Sequence, residues 1–358
     1  MAAGHRIVQN LTSRERVRAV LAHRRPDRLP LDYRAEPEVS AALRRRLGVT
    51  TQEALLDALG VDIRWIGVPY YGGEETRRLP NGESENIWGI RRTGAFGGYV
   101  VSHPLAGARS RADIEAHPWP DPAAVDVDTW VERVQACGDY ARFGGPNCRI
   151  FFDAIELVGF EKFFTWLYDE PDLIRLLLDK IADYNEAVLR RLFSRLPGEI
   201  DAIQMVSDFG SQRSLLIQPA TWRAFVRPPF ERLFRCARAY GVHVMLHSDG
   251  AIRAVIPDLV DMGLEILNPI QVEAVGMEPR GLKRDFGDSL IFHGAIDIQQ
   301  TLPFGSPEDV RNEVRERFHD LGAGGGYILS CSHSLLPDVP IENILAMYET
   351  ARVECRYD

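Results

Sequence analysis

Short apolar segments alternate with longer amphipathic segments from about residue 148 to the end of the chain. The short segments have the length of strands and the segments between them have helical periodicity, which is typical of a parallel sheet built from βα units. The predicted strands are Arg149 to Asp153, Ala202 to Val206, Val242 to His247, Glu265 to Asn268, Leu290 to His293 and Tyr327 to Ser330. Long helices are predicted between several of them, including Pro171 to Leu196 and Pro219 to Tyr240.

The first part of the chain has a different pattern. Residues 1–60 are predicted to form a helical extension, in which Thr12 and Glu15 have the spacing of a capping box. Residues 61–147 are less regular. The glycine-rich and turn-rich stretch from Tyr70 to Leu105 predicts hairpins.

An apolar entry near Leu31 and a β-branched segment near Ile63 raise the number of predicted strands to eight. Eight parallel strands in a chain of this size favour a closed barrel, whereas a doubly wound sheet would need a Gly-x-Gly-x-x-Gly turn that the sequence lacks. We predict one α/β domain over residues 1–358, a single (β/α)8 TIM barrel with an N-terminal helical extension and inserted hairpins. Its parts are the extension (1–60), the irregular hairpin-containing part (61–147) and the regular βα units (148–358).

Composition narrows the function to small-molecule chemistry. A formal net charge of −9 provides no broad basic surface for nucleic acid. No apolar run approaches the roughly 18 to 20 residues of a membrane span. The five cysteines form no Cys-x-x-Cys pair, and no signal-peptide pattern precedes them, so we predict a reduced, cytoplasmic location. The sequence leaves the oligomeric state open, a homodimer included.

Polar and titratable residues follow the predicted strands at their carboxyl ends, where barrel enzymes hold their active sites. If the strands close into a barrel, these side chains converge on one cavity. They are Asp153, Glu156, Ser207, Asp208, His247, Ser248, Asp249, Asn268, Gln271, His293, Asp297, Ser330, Cys331, Ser332 and His333.

Three of these residues suit a metal ion. His247 and Asp249 lie two residues apart and would face the same side of an extended segment. With His333 they supply two imidazoles and one carboxylate, a set acceptable to zinc, manganese or ferrous iron. We predict His247, Asp249 and His333 as ligands of a divalent metal, with zinc the first candidate. The alternatives are that they only hydrogen-bond to turns, or that His333 is a general acid or base.

Catalytic roles are predicted for His333, His247 and Asp208. Asp208 leaves its strand just before an aromatic residue and a glycine, where it would orient substrate or take a proton. Its alternative role is a turn or helix cap. Cys331 is a candidate nucleophile by position, and packing is its alternative role.

Many of these segments resemble the uroporphyrinogen decarboxylase superfamily. They are Val206 to Pro219, Phe225 to Pro228, His247 to Gly250, Ile256 to Leu259, Leu267 to Gln271, Phe292 to Asp297 and Gly326 to Pro340. The resemblance implies a (β/α)8 barrel with a helical extension. It also implies one of two chemistries: decarboxylation of uroporphyrinogen without a cofactor, or zinc-dependent methyl transfer between corrinoid proteins and thiols.

The chain differs from the decarboxylases where they bind the carboxylates of their substrate. The stretch from Pro30 to Pro37 keeps one arginine, Arg34, and the stretch from Trp65 to Pro69 lacks the pyrrole-binding aspartate. One guanidinium cannot pair with eight carboxylates, since each needs its own charge-assisted partner. The resemblance therefore implies the methyltransferase branch.

Matched position by position to the zinc site of the thiol methyltransferases, His247 stands at the histidine, while Asp249 and His333 stand at the two cysteines. The implied ligands are nitrogen and oxygen instead of sulfur. The implied reaction moves a methyl group from a small methylated or methoxylated compound to a corrinoid protein or thiol acceptor. The chain lacks the corrinoid-binding Asp-x-His-x-x-Gly motif, so a separate protein would carry the corrinoid.

Two other hypotheses remain. One is a metal-independent decarboxylase of a small carboxylated substrate, with Arg34 holding the carboxylate, Asp208 stabilising a cation and His333 delivering the proton. The other is a barrel that binds a small molecule without catalysis. The residues predicted to contact substrate are Arg34, Gln271, Asn268, His293 and Asp297.

Overall fold

The computed structural model describes residues 11–70, 76–94 and 98–357. The strands are β1 (Ile63–Ile66), β2 (Thr76–Arg78), β3 (Ser84–Asn86), β4 (Arg91–Thr93), β5 (Tyr99–Ser102), β6 (Ala141–Gly144), β7 (Ala202–Val206), β8 (His243–His247), β9 (Ile266–Asn268), β10 (Ile291–Ile296) and β11 (Tyr327–Cys331).

The α-helices are α1 (Ser13–Leu21), α2 (Pro37–Leu47), α3 (Gln52–Leu59), α4 (Arg111–Glu115), α5 (Val127–Gln135), α6 (Ile150–Val158), α7 (Phe160–Asp169), α8 (Pro171–Phe193), α9 (Pro219–Thr221), α10 (Arg227–Ala239), α11 (Ile256–Met262), α12 (Pro279–Phe286), α13 (Thr301–Phe304), α14 (Pro307–Arg317) and α15 (Ile341–Glu354). Short 3-10 segments lie at Pro122–Ala124 and Arg253–Val255, and π-helical segments at Trp222–Val226 and Phe318–Gly322. None of the helices within the described ranges has the length and apolar character needed to cross a membrane.

Seven parallel strands form the barrel wall in the order β1-β6-β7-β8-β9-β10-β11. The segment around Leu31 closes the gap between β11 and β1. Asp32 N–H donates to the Leu329 carbonyl, Leu329 N–H donates to the Pro30 carbonyl, and Asp62 N–H donates to the Leu31 carbonyl. The predicted strand at Leu31 is thus a short bridge, and the predicted TIM barrel is confirmed.

One predicted strand is wrong. Residues Arg149 to Asp153 begin the helix α6, and the second wall strand is β6, which comes earlier in the chain. The error has a physical cause: α6 is buried on most sides, and a short, uniformly apolar run does not distinguish a buried helix from a buried strand. Asp153 and Glu156 consequently lie on a helix instead of at a strand end.

The helix α1 covers the amino-terminal end of the barrel. Its capping box is confirmed, since the Thr12 hydroxyl accepts from Glu15 N–H and the Glu15 carboxylate accepts from Thr12 N–H. Val17 and Val20 pack against the inward side chains of the wall strands, among them Phe143. The extension therefore supplies part of the barrel's inner core.

The predicted hairpins are also present, as an antiparallel sheet of β2, β3, β4 and β5. This sheet is inserted in the chain between β1 and β6. Arg92 on β4 pairs with Glu156 on α6, and Glu156 pairs a second time with Arg149. These ion pairs connect the sheet to the barrel and occupy the Glu156 carboxylate.

Candidate functional site

A polar cavity opens at the carboxyl ends of the wall strands. Its volume, counted to the open mouth, is about 530 Å³. It is lined by Arg34, Gln204, Val206, His247, Asn268, His293, Ser330, Cys331, Ser332, His333 and Ser334. Barrel closure therefore brings residues of five wall strands and of the Leu31 bridge to one place.

The three predicted metal ligands meet at this mouth. One ligand atom from each of His247, Asp249 and His333 lies within 4.8 Å of the others. His247 Nε2 is 4.0 Å from Asp249 Oδ1 and 3.8 Å from Asp208 Oδ1. Ligand atoms on opposite sides of an ion at about 2.0 to 2.2 Å are about 4.4 Å apart at most, so a small side-chain movement suffices to enclose one.

Two loops hold the acidic residues in place by direct contact. The Asp208 carboxylate accepts from Asp249 N–H at 2.9 Å, and the Gln271 side chain accepts from Gly250 N–H at 2.7 Å. Gly250 has φ +85°, and a Cβ there would lie 2.6 Å from the carbonyl group of Gly210. Only glycine permits this approach. Gln271, predicted to contact substrate, instead supports the loop that carries Asp249.

In the cluster formed by Asp208, His247, Asp249 and His333, burial shifts the pKa values of the two histidines and of Asp249. It raises the pKa of Asp249 to about 6, and the negative charge of Asp208 acts in the same direction while His247 opposes it. Burial lowers the pKa of His247, against the attraction of Asp249 and Asp208. Partial burial also lowers the pKa of His333, although this residue is exposed at the mouth. Neutral imidazoles beside carboxylates are the protonation state that a divalent cation needs.

Beneath this cluster, a series of hydrogen bonds links His247 to Asp32 in the Leu31 bridge. His247 Nδ1 is 2.7 Å from Asn268 Oδ1, and Asn268 Nδ2 is 2.7 Å from His293 Nδ1. His293 Nε2 is 3.1 Å from Asp32 Oδ2, and Trp65 Nε1 donates to Asp32 Oδ1 at 2.8 Å. Asn268 and His293, predicted to contact substrate, line the cavity and also belong to this network.

The carboxyl of Asp32 is fully buried. Burial alone would raise its pKa, but the hydrogen bond from His293, the charge of Arg34 and the hydrogen bond from Trp65 outweigh burial and hold the pKa below its usual value. The network therefore ends on an anion. Asp32 lies inside an apolar stretch of sequence and was not predicted as a site residue.

Arg34 lies in the wall of the cavity. Its guanidinium stacks on the Trp65 ring at 3.8 Å and donates to the Gln204 side-chain oxygen. Within the described ranges it forms no ion pair with a carboxylate. Burial lowers the pKa of Arg34, while the charge of Asp32 opposes that shift. Gln204 was also missed, although a glutamine inside the buried strand β7 was a signal in the sequence.

Two predicted residues have other surroundings. The Asp297 carboxylate accepts from the N–H groups of Gln299, Gln300 and Thr301, which places it in the turn before α13 and outside the cavity lining. Cys331 lines the cavity, but burial raises the pKa of its thiol to about 12. The thiol is therefore protonated near neutral pH, which does not suit a nucleophile.

Comparison with known proteins identifies relatives of this chain. Residues 151–353 match the family model described as uroporphyrinogen decarboxylase (URO-D). The uroporphyrinogen decarboxylase of Alkalilimnicola ehrlichii is 27% identical over 270 residues, which cover 70% of this chain and 68% of that protein. That of Magnetococcus marinus is 26% identical over 193 residues, which cover 52% of this chain and 50% of that protein. The matches thus span from half to about two-thirds of these relatives.

A solved structure shares the fold over nearly the full length. A methyltransferase from Methanosarcina mazei superposes with a TM-score of 0.64 and 18% sequence identity, covering 96% of this chain and 99% of that chain. At this identity the similarity concerns the fold alone.

Proposed function

The chain belongs to the uroporphyrinogen decarboxylase family, and from this premise we propose that it is a metal-dependent methyltransferase. It moves a methyl group from a small methylated or methoxylated compound to a corrinoid protein or a thiol acceptor. The observation that carries the proposal is the convergence of His247, Asp249 and His333 at the mouth of one polar cavity.

The donor set fits a divalent cation such as zinc. His247, Asp249 and His333 would hold it, with Asp208 close by. When bound, the ion supplies Lewis acidity that activates a thiol or a methylated heteroatom. The carboxyl groups of Asp249 and Asp208 lie close to each other in a partly buried site, and a bound cation would compensate their mutual repulsion.

Arg34 binds the substrate through a carboxylate. Its guanidinium is held flat by Trp65 and faces the cavity without an anionic partner among the described residues. A planar guanidinium pairs best with a carboxylate, through two parallel hydrogen bonds. Among its described lining residues the cavity has one guanidinium group, which matches a small anion and contrasts with the eight carboxylates of uroporphyrinogen. Substrates of the size and charge of a methoxylated benzoate fit these features.

Metal analysis tests the first half of the proposal. The purified full-length chain is loaded with Zn²⁺, dialysed and analysed for bound metal, beside His333→Ala and His247→Ala. We expect about one ion per chain, lost in both variants. His319→Ala is the matched control, because His319 is exposed and pairs with Asp320 away from the cavity. Equal metal content in all four proteins would contradict the site.

Methyl transfer tests the second half. The zinc-loaded chain is mixed with methylcobalamin and small thiols, and separately with cob(I)alamin and methoxylated benzoates, while the corrinoid absorbance is followed. We expect turnover in at least one direction and its loss in His333→Ala. Undiminished turnover in the metal-free chain would remove the ion from the mechanism.

A metal-independent decarboxylase is the second candidate. It is favoured by Arg34, which faces the cavity and is available for a substrate carboxylate. Release of carbon dioxide from small aromatic acids by the metal-free chain, without change in added methylcobalamin, would select this candidate over methyl transfer.

A further inference from the structure

Two hydrogen-bond chains converge on the side-chain amide of Asn268. One runs from Arg34 through Gln204, and the other runs from Asp32 through His293. Each begins at a group whose hydrogen-bonding role is fixed by its chemistry. A guanidinium only donates, and an ionised carboxylate only accepts.

The chain from Arg34 fixes the amide orientation of Asn268. Because Arg34 donates, Gln204 must direct its oxygen toward Arg34 and its N–H₂ group toward Asn268. Gln204 Nε2 lies 3.0 Å from Asn268 Oδ1, and the carboxamide oxygen is therefore the acceptor. The same oxygen lies 2.7 Å from His247 Nδ1, so that nitrogen must carry the proton.

The chain from Asp32 imposes the same orientation. Because Asp32 accepts, His293 must donate from Nε2, which leaves its Nδ1 as an acceptor at neutral charge. Asn268 Nδ2 lies 2.7 Å from this Nδ1 and donates to it. Trp65 occupies the other carboxylate oxygen of Asp32 and keeps it in place. Both chains thus point the Asn268 oxygen at His247.

We propose that Asp32, His293, Gln204 and Asn268 are positioning residues that fix His247 in the tautomer with a proton on Nδ1 and a bare Nε2. The bare Nε2 is the atom nearest Asp208 and Asp249, and a metal ion needs it unprotonated. The inference rests on the proposed function only in assigning metal binding to Nε2 of His247. The tautomer itself is a property of the metal-free protein.

Nuclear magnetic resonance of the metal-free, full-length chain tests the tautomers directly. Histidine is labelled with ¹⁵N, two-bond ¹H–¹⁵N correlations are recorded near pH 7.5, and His247→Gln and His293→Gln assign the two rings. We expect the proton on Nδ1 in His247 and on Nε2 in His293. A proton on Nε2 of His247 would overturn the proposal, whether or not the protein binds metal or transfers methyl groups.

Paired substitutions test which groups set the tautomer. In Asp32→Asn, the Trp65 N–H group keeps the amide oxygen of the new side chain as its acceptor. The new N–H₂ group then faces the N–H group of His293, so that two donors oppose each other. In Gln204→Glu, a carboxylate oxygen of the new side chain faces the Asn268 oxygen, so that two acceptors oppose each other. Each single variant is expected to be destabilised. The double variant lets Asn268 rotate and every bond reverse, so its free energy of unfolding should exceed the value expected from adding the two single losses.

The reversal has a spectroscopic signature that a merely structural role would not produce. In the double variant the proton of His247 should move from Nδ1 to Nε2, and that of His293 from Nε2 to Nδ1. Strictly additive losses of stability together with an unchanged His247 tautomer would overturn the proposal.

Zinc affinity, measured by competition with a chelating dye, gives an independent readout. The double variant should bind Zn²⁺ at least about tenfold more weakly than the parent chain, the usual effect of losing a partner behind a metal-binding histidine. Asp297→Asn is the matched control, because Asp297 is also a buried carboxylate at the same end of the barrel but lies outside both chains. It should leave the tautomers and the zinc affinity unchanged, and an equal loss there would contradict the assignment.

Discussion

The rings of His247 and His333 meet edge to face at the barrel mouth, with centroids 5.5 Å apart and planes inclined at 69°. His247 ends β8, whereas His333 follows β11. Their approach results from closure of the wall, since these strands are not neighbours in the sheet. Binding of a metal ion or a small substrate at this mouth would therefore depend on the intact barrel.

The stability of the metal-free protein should depend on the pKa of Asp249. This carboxyl titrates near 6 in the folded chain and near 3.9 in an unfolded one. At Asp249 the folded state therefore binds more protons between these values, and the contribution of Asp249 to the free energy of unfolding falls as the pH rises from about 4 through 6. The lowered pKa values of His247 and His333 act in the opposite direction, so the Asp249 contribution is read as the difference between the parent chain and Asp249→Asn in urea unfolding at pH 5 and pH 8. Relative to the variant, the parent chain should be less stable at pH 8 than at pH 5, and an equal or opposite change in the difference would contradict the expectation.

Substitution of Asp62 should strongly destabilise the chain. Its buried carboxylate accepts from Arg16, Arg28, Ser13 and the N–H group of Leu31, and so ties α1 and the closing bridge to β1. Asp62→Asn removes the carboxylate that pairs with Arg28 and one of the two that pair with Arg16, whose other partner is Asp27. Breaking a buried ion pair in this way costs roughly 3 to 5 kcal/mol. Denaturant unfolding monitored by circular dichroism measures the loss.

Its control is Asp309→Asn, which alters an exposed capping box of α14. This change should cost about 1 kcal/mol. Equal losses in the two variants would show that the Asp62 cluster adds nothing beyond an ordinary helix cap.

Gly250→Ala should damage both stability and zinc binding. Gly250 has φ +85°, and an added Cβ would lie 2.6 Å from backbone atoms of Gly210 and Ser211. The two loops must separate, which moves Asp249 away from Asp208. We expect a loss of at least about 2 kcal/mol in unfolding free energy and weaker Zn²⁺ binding.

Gly48→Ala is the matched control for Gly250→Ala. Gly48 also has positive φ, at +69°, but a Cβ there has nothing within 4 Å. It should cost only the backbone strain of about 1 to 2 kcal/mol and leave zinc binding intact. Zinc affinities that fall equally in both variants would contradict the role of the loop contact.

Replacement of Arg34 should weaken the binding of carboxylates. Calorimetric titration with 4-methoxybenzoate is expected to give an affinity roughly 10- to 100-fold lower in Arg34→Met, since a hydrogen bond to a charged group contributes about 1.5 to 3 kcal/mol. The uncharged 4-methoxybenzamide is the control ligand, and its affinity should change little. Parallel losses for acid and amide would mean that Arg34 only shapes the cavity.

Much of the site could be predicted because a barrel converts sequence position into spatial position. A polar residue at the carboxyl end of a wall strand points to the mouth, and His247, Asp249 and His333 were identified in this way. The same rule failed for Asp153, since its apolar segment folds as helix α6 instead of a strand. For Gln271 and Asp297 the strand ends were right, but backbone N–H groups take up their side chains. The partner of Gln271 is Gly250 on a neighbouring loop, and the partners of Asp297 lie in the turn that follows it.

The sequence by itself determined the barrel, the capped first helix, the hairpins and the residue types at the strand ends, because these depend on periodicity and on local hydrogen bonds. Tertiary structure alone decided which side chains act together. Asp32 and Trp65 carry no local pattern that marks them as site residues, and they join the site only because closure of the wall brings them to Asn268 and His293. For Gln204 the only signal was a polar residue inside a buried strand, and its partners were decided by the same closure. The orientation of an amide and the tautomer of an imidazole are fixed by partners from distant strands, and such partners have no signature in the sequence around them.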